Sequence, residues 1–208
     1  MPEFAGFHFR VDTTSPDADM SVVLLHGSGR KDDDLVSFGS SVFPNAFLFS
    51  PRGSLPFENG FAFFRRTPDR QLDFDDLARR AESLCIFLDF VARETGHTPV
   101  IAGYSNGAII AAEAILQNRT LSKAAILLRP LSPRPNRAFP SMAGYPALLI
   151  ATEDDTRRDP SDAPYLAGQF EKADADVTLE VFAGGHGWAE EDADIHTCKT
   201  WLSKLDSL

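Results

Sequence analysis

Apolar residues follow two alternating patterns along the chain: short runs that are apolar almost throughout, and longer stretches with helical spacing. Residues 21–26, SVVLLH, form such a run, which is typical of a strand that a parallel sheet buries on both faces. Residues 7–11 alternate only weakly, and we expect them to form an edge strand. The full set of predicted strands comprises residues 7–11, 21–26, 46–50, 99–103, 124–128, 147–151 and 177–182.

Helices are predicted where apolar residues recur at intervals of three and four positions. This spacing runs from residue 74 to about residue 95, and Gly96 then stands where a C-terminal cap belongs. Repeated strand-then-helix units build a mostly parallel, twisted sheet flanked by helices on both faces, so we predict an α/β fold. A chain of 208 residues favours a single domain over residues 1–208. Further helices are expected at residues 106–118, 163–173 and 191–205.

The charge balance narrows the range of partners. A net charge of −10 would repel the phosphate backbone of nucleic acid and anionic lipid, so a nucleic-acid partner is not expected. No apolar run approaches the roughly 18 residues of a membrane span, which argues against stable membrane insertion. The first ten residues lack the features of a secretory signal, and the chain has only two cysteines, Cys85 and Cys198. We therefore expect a cytoplasmic protein with reduced thiols.

The strongest chemical signal is the sequence GYSNG at residues 103–107, which fits the pattern G-x-S-x-G. In a nucleophile elbow, the serine lies on a sharp, strained turn, and larger side chains two residues to either side would collide with neighbouring elements. The context agrees, because a predicted strand precedes the motif and a predicted helix follows it. The turn exposes the hydroxyl and aims a helix N-terminus at it, so Ser105 is the predicted nucleophile.

A second glycine-rich motif, HGSG at residues 26–29, follows the predicted strand 21–26. Such a loop can turn backbone N–H groups toward the nucleophile. The N–H groups of Ser28 and Asn106 are therefore the predicted oxyanion hole. We interpret His26 as a structural residue that pins the loop by hydrogen bonding, and an ordinary glycine-rich turn is the alternative.

Among the five histidines, only His186 is predicted to lie on a loop at the carboxyl end of a late strand. It stands in a run of small residues after the strand 177–182, from which an imidazole can reach across to the serine. In α/β hydrolases the acid comes between the serine and the histidine in sequence. Glu153, Asp154 and Asp155 follow the predicted strand 147–151, and the residues alone leave Asp154 and Asp155 as alternatives.

Together, these motifs make the chain resemble the phospholipase/carboxylesterase family of α/β hydrolases, and within it small bacterial esterases of the hydroquinone-inducible type. The frame of that family places the acid at Asp155, with Thr152 where a glycine is usual. The resemblance also implies Ser28 and Asn106 as oxyanion donors, no large cap domain, no metal or organic cofactor, and a homodimer. It spans about residues 22–201 and rests on LLHGSG at 24–29, PRG at 51–53, ENGFAFFRR at 58–66, GYSNGA at 103–108 and GGHG at 184–187.

The aromatic segment 57–66 is the predicted wall of the substrate pocket, where Phe61 and Phe64 would contact an apolar acyl or aryl group. Core filling beneath the loop is the alternative interpretation of these phenylalanines. Arg65 or Arg66 would meet an anionic group of the substrate, or else lie on the surface. Leu131, which follows the strand 124–128, is a further pocket candidate.

We predict a serine carboxylesterase that hydrolyses small or aryl/acyl carboxylic esters through Ser105, His186 and Asp155 and an acyl-enzyme intermediate. Its partner would be a small-molecule ester. The alternatives are an acyl thioesterase or lysophospholipase that acts on longer acyl chains, and a non-catalytic ligand-binding protein that retains the fold. Cysteine-dependent dienelactone hydrolysis uses the same fold, but the elbow of this chain holds serine.

Overall fold

A computed structural model describes residues 1–69 and 71–205. Its strands are β1 (Glu3–Phe4), β2 (Phe7–Thr13), β3 (Met20–Leu25), β4 (Ala46–Pro51), β5 (Leu55–Phe57), β6 (Gly60–Ala62), β7 (Val100–Tyr104), β8 (Ala124–Leu128), β9 (Pro146–Thr152) and β10 (Asp176–Phe182). Its α-helices are α1 (Val36–Val42), α2 (Phe74–Thr95), α3 (Asn106–Asn118), α4 (Asp162–Glu171) and α5 (Ala193–Leu202). Single 3₁₀ turns occur at Arg119–Leu121 and Glu190–Asp192.

Eight strands form one sheet in the order β1-β2-β4-β3-β7-β8-β9-β10. The strands from β4 to β10 in this order are parallel, whereas β2 is antiparallel to β4 and β1 is antiparallel to β2. The remaining two strands, β5 and β6, form a separate antiparallel hairpin. The predicted α/β fold with a mostly parallel sheet is confirmed, and the carboxyl ends of its parallel strands meet at one edge.

The expectation that residues 7–11 form an edge strand is wrong. The strand β2 pairs with β1 on one side and with β4 on the other. The edge is the two-residue strand β1, which is too short to produce a hydrophobic pattern of its own. Phe7 and Phe9 of β2 are buried while His8 between them is exposed, so the weak alternation reflects one covered face.

Helices cover both faces of the sheet, and successive residues of β3 point to opposite layers. Val23 and Leu25 belong to the apolar layer that contains α2, α3 and α4. Val22 and Leu24 belong to the other layer, beneath α1 and α5. This two-sided burial explains why the central strands read as continuous apolar runs.

The helix boundaries follow local capping chemistry. The Asp73 carboxylate accepts the Asp76 N–H at 3.1 Å at the start of α2, and Gly96 ends the helix with a φ of 74°. The last helix, α5, begins at Ala193 and not at residue 191 as predicted. The reason is that Glu191 and Asp192 both have a φ of 54°, a left-handed conformation that interrupts the helix.

Besides β1, two elements were not predicted from the sequence pattern, namely α1 and the β5–β6 hairpin. The sequence of α1 is VSFGSSV, in which serine and glycine dilute the apolar spacing. A Cβ at Gly39 would lie 2.6 Å from the Leu24 side chain, so this helix depends on close contact with the sheet. Its existence is therefore decided by packing more than by local preference.

Within residues 1–69 and 71–205, no helix combines the length and the apolar character that crossing a bilayer requires. Cys85 on α2 and Cys198 on α5 are free thiols. Burial raises the pKa of both thiols, that of Cys85 to about 11. Because the two helices pack on opposite faces of the sheet, the two thiols are held apart.

Candidate active site

Ser105 lies on the turn between the central strand β7 and helix α3. Its φ of 53° and ψ of −105° form a strained conformation for a residue other than glycine. The Ser105 N–H donates to the Leu128 carbonyl at 2.8 Å, and the Ser105 carbonyl accepts from the Ile109 N–H at 3.1 Å. The backbone thus holds the serine on the sharp strand-to-helix turn that the motif predicts.

The two glycines of the motif are required by close backbone contacts. A Cβ at Gly107 would lie 2.0 Å from the carbonyl oxygen of Leu25 on the adjacent strand. A Cβ at Gly103 would lie 2.5 Å from the carbonyl oxygen of Gly107 itself. Any side chain at either position would force the helix away from the sheet and move the serine with it.

Three side chains from three loops meet at the carboxyl edge of the sheet. His186 Nε2 lies 2.9 Å from Ser105 Oγ, and His186 Nδ1 lies 2.7 Å from Asp155 Oδ2. A carboxylate can only accept, so Nδ1 carries the imidazole proton and Nε2 is left to accept from the serine hydroxyl. The geometry therefore presents a neutral imidazole that can take the proton of Ser105.

The choice between Asp154 and Asp155 follows from where each side chain points. Asp155 is buried, and its second carboxylate oxygen accepts the Arg157 N–H at 2.8 Å. Asp154 is exposed, and only its backbone contributes, through an N–H that donates to the Gly184 carbonyl at 2.9 Å. Asp155 is therefore the residue that the structure brings to His186.

Main-chain and side-chain hydrogen bonds join the loop that carries Asp155 to the loop that carries His186. The Glu153 N–H donates to the Phe182 carbonyl at 2.9 Å, which continues the pairing of β9 with β10. Thr152 donates its hydroxyl to the Gly185 carbonyl at 2.8 Å. This hydrogen bond is a second contact that holds the histidine loop.

The surroundings of His186 favour its neutral form. Burial lowers its pKa most, and the positive charges of Arg158 and Arg157 lower it further. The hydrogen bond to Asp155 acts in the opposite direction but does not restore the ordinary value. A lowered pKa keeps the imidazole able to accept a proton below the usual titration range of histidine.

Ser28 and Asn106, the predicted oxyanion donors, lie on the glycine loop after β3 and at the first position of α3. Within the described residues, neither backbone N–H donates to a protein acceptor. The Asn106 side chain is buried, and its Oδ1 accepts the Phe63 N–H at 2.8 Å. The elbow is thereby tied to the segment after β6.

The glycine loop is held by the β5–β6 hairpin through backbone contacts. The Gly29 N–H donates to the Phe61 carbonyl and the Phe61 N–H donates to the Arg30 carbonyl, each at 2.9 Å. A Cβ at Gly60 would lie 2.5 Å from the Gly29 carbonyl oxygen, so the hairpin and the loop are in direct backbone contact. The contact leaves no room for a side chain at residue 60, which explains why the ENG motif ends in glycine.

His26 has the structural role that the sequence suggests. Its Nδ1 donates to the Gly27 carbonyl at 2.7 Å, and its Nε2 accepts the Gly53 N–H at 2.9 Å. Burial lowers its pKa to about 4, which keeps the ring neutral and this pair of hydrogen bonds intact. It pins the HGSG loop to the PRG segment and does not contact the triad.

A buried ion pair that the sequence analysis missed holds the histidine loop from below. Arg129, directly after β8, donates to both carboxylate oxygens of Asp194 on α5 at 2.8 and 3.0 Å. It also donates to the Gly187 carbonyl at 2.8 Å, and Asp194 accepts the Ala189 N–H at the same distance. The two residues are 65 positions apart in sequence, so no local sequence pattern could have indicated that they form a pair.

Arg158 is a second residue that the sequence analysis missed. Its Nη2 donates to Ser105 Oγ at 3.0 Å, and its Nε donates to the Arg129 carbonyl at 2.8 Å. It follows Asp155 by three residues in a loop of mixed charge, where nothing in the pattern distinguishes it from a surface arginine. Arg158 and His186 thus both contact the hydroxyl of the candidate nucleophile.

The predicted pocket residues do not form one surface. Phe64 is only 2% exposed and lies in the core, as the alternative interpretation of this segment held. Phe61 is half-buried beneath the Arg52 guanidinium, at 4.1 Å from its ring centre. Arg65 is exposed and pairs with the Asp76 carboxylate at 3.4 Å, and Leu131 packs partly against the core.

A cavity of about 160 Å³ lies beside the triad. Arg129, Asp155 and Arg158 line it, whereas Ser105 and His186 do not. It therefore borders the carboxylate that contacts the imidazole and not the Ser105 hydroxyl. Among the residues that the structure describes, no group of three or more His, Cys, Asp or Glu side chains is arranged to hold a metal ion.

The sheet order, the strained serine turn and the three contacting side chains define the class of this protein, which is an α/β hydrolase. Residues 69–205 match the dienelactone hydrolase family. The protein MhqD of Bacillus subtilis (strain 168) is 34% identical over 181 residues, which cover 85% of this chain and 90% of MhqD.

Two solved structures with similar sequences agree with the fold over almost the whole chain. A carboxylesterase of Bacillus cereus is 28% identical with a TM-score of 0.88, over 95% of this chain and 94% of its own. A carboxylesterase of Mesorhizobium loti is 26% identical with a TM-score of 0.90, over 99% and 98% of the two chains. The chain belongs to the dienelactone hydrolase family and is a carboxylesterase-like hydrolase.

Proposed function

We propose that this protein is a serine carboxylesterase that hydrolyses small carboxylic esters through an acyl-enzyme intermediate. The observation that carries this proposal is the continuous contact from Ser105 Oγ to His186 Nε2 and from His186 Nδ1 to Asp155. Nucleophile, base and orienting acid stand in the order and at the distances that such chemistry needs. The similarity to two bacterial carboxylesterases supports the same reaction class.

In the first half of the reaction, Ser105 attacks the ester carbonyl while His186 accepts its proton at Nε2. Asp155 stabilises the resulting imidazolium and keeps the ring in the correct tautomer. His186 then gives this proton to the departing alcohol, which leaves the acyl group on the serine oxygen. In the second half, His186 activates a water molecule that releases the acid and restores the hydroxyl.

The oxyanion of each tetrahedral intermediate would rest on the N–H groups of Ser28 and Asn106. Both groups are without a protein acceptor in the described part of the chain, and the positive end of α3 lies beneath Asn106. Donors that are in place before the reaction cost no reorganisation when charge develops. The backbone contacts that fix the HGSG loop and the elbow supply this rigidity.

The proposal is tested by comparing wild-type protein with the Ser105→Ala variant on a panel of short aryl and alkyl esters. A fluorophosphonate probe should label the wild type and leave the variant unlabelled. We expect the variant to lose at least about 10⁴-fold in kcat, since the nucleophile is removed. Hydrolysis that survives the alanine substitution would show that another group performs the attack.

A further inference from the structure

We propose that Arg158 binds a carboxylate of the substrate, so that the preferred esters carry a negative charge a few bonds away from the scissile carbonyl. This inference rests on the proposed esterase function and names the substrate class of the same site. The observation behind it is a guanidinium that points at the reacting oxygen and has no carboxylate partner among the described residues.

Every contact of the Arg158 guanidinium is with a neutral oxygen. Nε donates to the Arg129 carbonyl at 2.8 Å, Nη1 donates to the Arg157 carbonyl at 2.9 Å, and Nη2 donates to Ser105 Oγ at 3.0 Å. The two carbonyls fix the plane of the group, and the third contact directs one corner to the nucleophile. A planar arginine held in this way is suited to a planar carboxylate.

Two other arginines of this protein illustrate the usual solution, in which a buried acidic side chain neutralises the cation. Arg129 pairs with Asp194 at 2.8 Å, and Arg134 pairs with Glu113 at 3.1 Å. Arg158 is half-buried, yet within residues 1–69 and 71–205 no carboxylate oxygen lies within 4.0 Å of it. A cation withdrawn from water without a counter-charge is costly, and a bound anion would remove that cost.

Two carboxylates affect Arg158 from a distance but are engaged elsewhere. Asp155 accepts from the His186 ring and from the Arg157 N–H, and Asp162 accepts from the Asp159 N–H. Their charges raise the pKa of Arg158, but burial and the neighbouring Arg66 and Arg157 outweigh them and lower it to about 10. The guanidinium that contacts the serine is therefore a cation withdrawn from water and without a bound carboxylate, in a chain whose net charge is −10.

The same cations disfavour the imidazolium that the proposed reaction must form, because Arg158 and Arg157 lower the pKa of His186. With a neutral ester, this repulsion remains throughout the reaction. With a substrate carboxylate on Arg158, the added negative charge offsets it and stabilises the protonated imidazole. Charge in the substrate is thus coupled to the basicity of His186 as well as to binding.

The distance from Arg158 to the nucleophile limits where the carboxylate can be. Nη2 is 3.0 Å from the oxygen that attacks the ester carbonyl, so a carboxylate on this guanidinium must belong to a short substrate. Monoesters of short dicarboxylic acids satisfy this condition. A long acyl chain with a remote charge does not.

The test uses two esters of nearly equal shape, monoethyl succinate and ethyl levulinate, in which a methyl ketone replaces the carboxylate. We expect wild-type protein to prefer monoethyl succinate. In Arg158→Gln, the ratio of kcat/KM for monoethyl succinate to kcat/KM for ethyl levulinate should fall about 10- to 100-fold, as for the loss of a charge-assisted hydrogen bond. Because Arg158 also contacts Ser105, any effect of the variant on the nucleophile acts on both esters and cancels in this ratio.

Two further variants keep the test decisive. Arg158→Lys retains the charge and should keep part of the preference, which guards against a folding defect in the glutamine variant. Arg137→Gln removes an exposed arginine that contacts none of the triad side chains, and it should leave both esters unaffected. Equal losses on both esters in Arg158→Gln would instead mean that the arginine acts on the serine alone. A gain on both would mean that it only blocks the site, and either result overturns the inference.

The failure of this inference can be distinguished from the failure of the esterase proposal. If neither ester is hydrolysed and a fluorophosphonate does not label Ser105, the esterase function is refuted. Succinate binding by calorimetry does not depend on turnover, and we expect it to be weaker in Arg158→Gln than in Arg137→Gln. Equal succinate binding in the two variants would refute the carboxylate site even if the ester chemistry is correct.

Discussion

The two halves of the site are built in different ways. The oxyanion half consists of the HGSG loop (residues 26–29), the β5–β6 hairpin and the elbow, and backbone contacts at glycines hold it together. The acid–histidine half consists of residues 129, 152–158 and 183–194, and charged side chains hold much of it, above all the Arg129–Asp194 pair. One half depends on steric fit and a neutral histidine, whereas the other depends on ionised groups.

Burial follows the same division. The HGSG loop begins at a buried strand end, and His26 is only 2% exposed. The loop around His186 is largely exposed, with Trp188 at 48%. A backbone-built region resists changes in pH and side-chain charge, while a region held by ion pairs can be disturbed by a single neutralising substitution. We therefore expect variants in the two halves to fail in different ways.

The largest effect is expected for Asp155→Asn, which keeps the shape of the acid but removes its charge. The amide no longer stabilises the imidazolium and favours the wrong tautomer, so kcat should fall by about 10⁴-fold. The matched control is Asp154→Asn, which should leave kcat nearly unchanged because the Asp154 side chain is exposed. Steady-state kinetics on one aryl ester distinguishes the two, and similar losses in both variants would contradict the assignment of the acid.

Asp194→Asn should destabilise the acid–histidine half by leaving the Arg129 cation buried without a counter-charge. We expect the free energy of unfolding to fall by about 3–5 kcal/mol, measured by urea denaturation. The exposed pair of Arg93 with Asp89 gives the comparison, and Asp89→Asn should cost no more than about 0.5 kcal/mol.

The double variant Arg129→Met/Asp194→Leu separates the contribution of the ion pair to stability from its contribution to the position of His186. Two apolar residues can replace a buried pair with little loss of stability, so we expect the double variant to fold better than Asp194→Asn. Its kcat should nevertheless stay low, because the contacts to Gly187 and Ala189 that hold the histidine loop are gone. Wild-type kcat in a stable double variant would show that the pair does not position His186.

In the oxyanion half, Gly107→Ala should act through sterics. The new methyl group would lie 2.0 Å from the Leu25 carbonyl oxygen, and we expect a loss of about 3 kcal/mol in the free energy of unfolding together with loss of activity. Gly168→Ala in α4 is the control, since no atom lies within 4 Å of its added Cβ. That substitution should stabilise the protein by about 0.5–1 kcal/mol, and a similar penalty at both sites would contradict the steric explanation.

The smallest effect is expected in the pH dependence of kcat/KM. The neutral imidazole is the active form, so a lowered pKa of His186 places the acid limb below the ordinary histidine value of about 6.5. Arg157→Gln removes one of the cations responsible, which raises this pKa and moves the limb to higher pH by less than about one unit. Arg137→Gln should leave the limb in place, and a shift to lower pH in Arg157→Gln would refute the electrostatic cause.

Most of the sheet and the elements around the elbow were predictable, because central parallel strands are apolar on both faces and α2 and α3 have regular spacing. The boundaries of α2 and α3 match the prediction because the pattern and the caps agree. The short edge strand β1, the hairpin and α1 were missed, since each contributes too few apolar residues to form a pattern. Their presence depends on partners that are distant in sequence.

The candidate site shows the same limit. Motif spacing led to Ser105, His186, Ser28 and Asn106, because glycine requirements leave a local trace in the sequence. The pocket candidates Phe61, Phe64, Arg65 and Leu131 were inferred from composition, and the structure distributes them between core and surface. Burial of an aromatic side chain is not a local property, so composition could not separate a pocket wall from a core.

The sequence by itself determined the strand–elbow–helix unit, the order of serine, acid and histidine, and the glycine positions where no side chain fits. Tertiary structure alone decided that Arg129 pairs with Asp194 and that Arg158 reaches the serine. It also brings Asp155 to the imidazole, which the residues had left open with Asp154 and only the family resemblance had favoured. The physical reason is the separation along the sequence over which each kind of interaction acts. Backbone strain and glycine sterics act within a few residues, whereas hydrogen bonds and ion pairs join groups that only the folded sheet brings together.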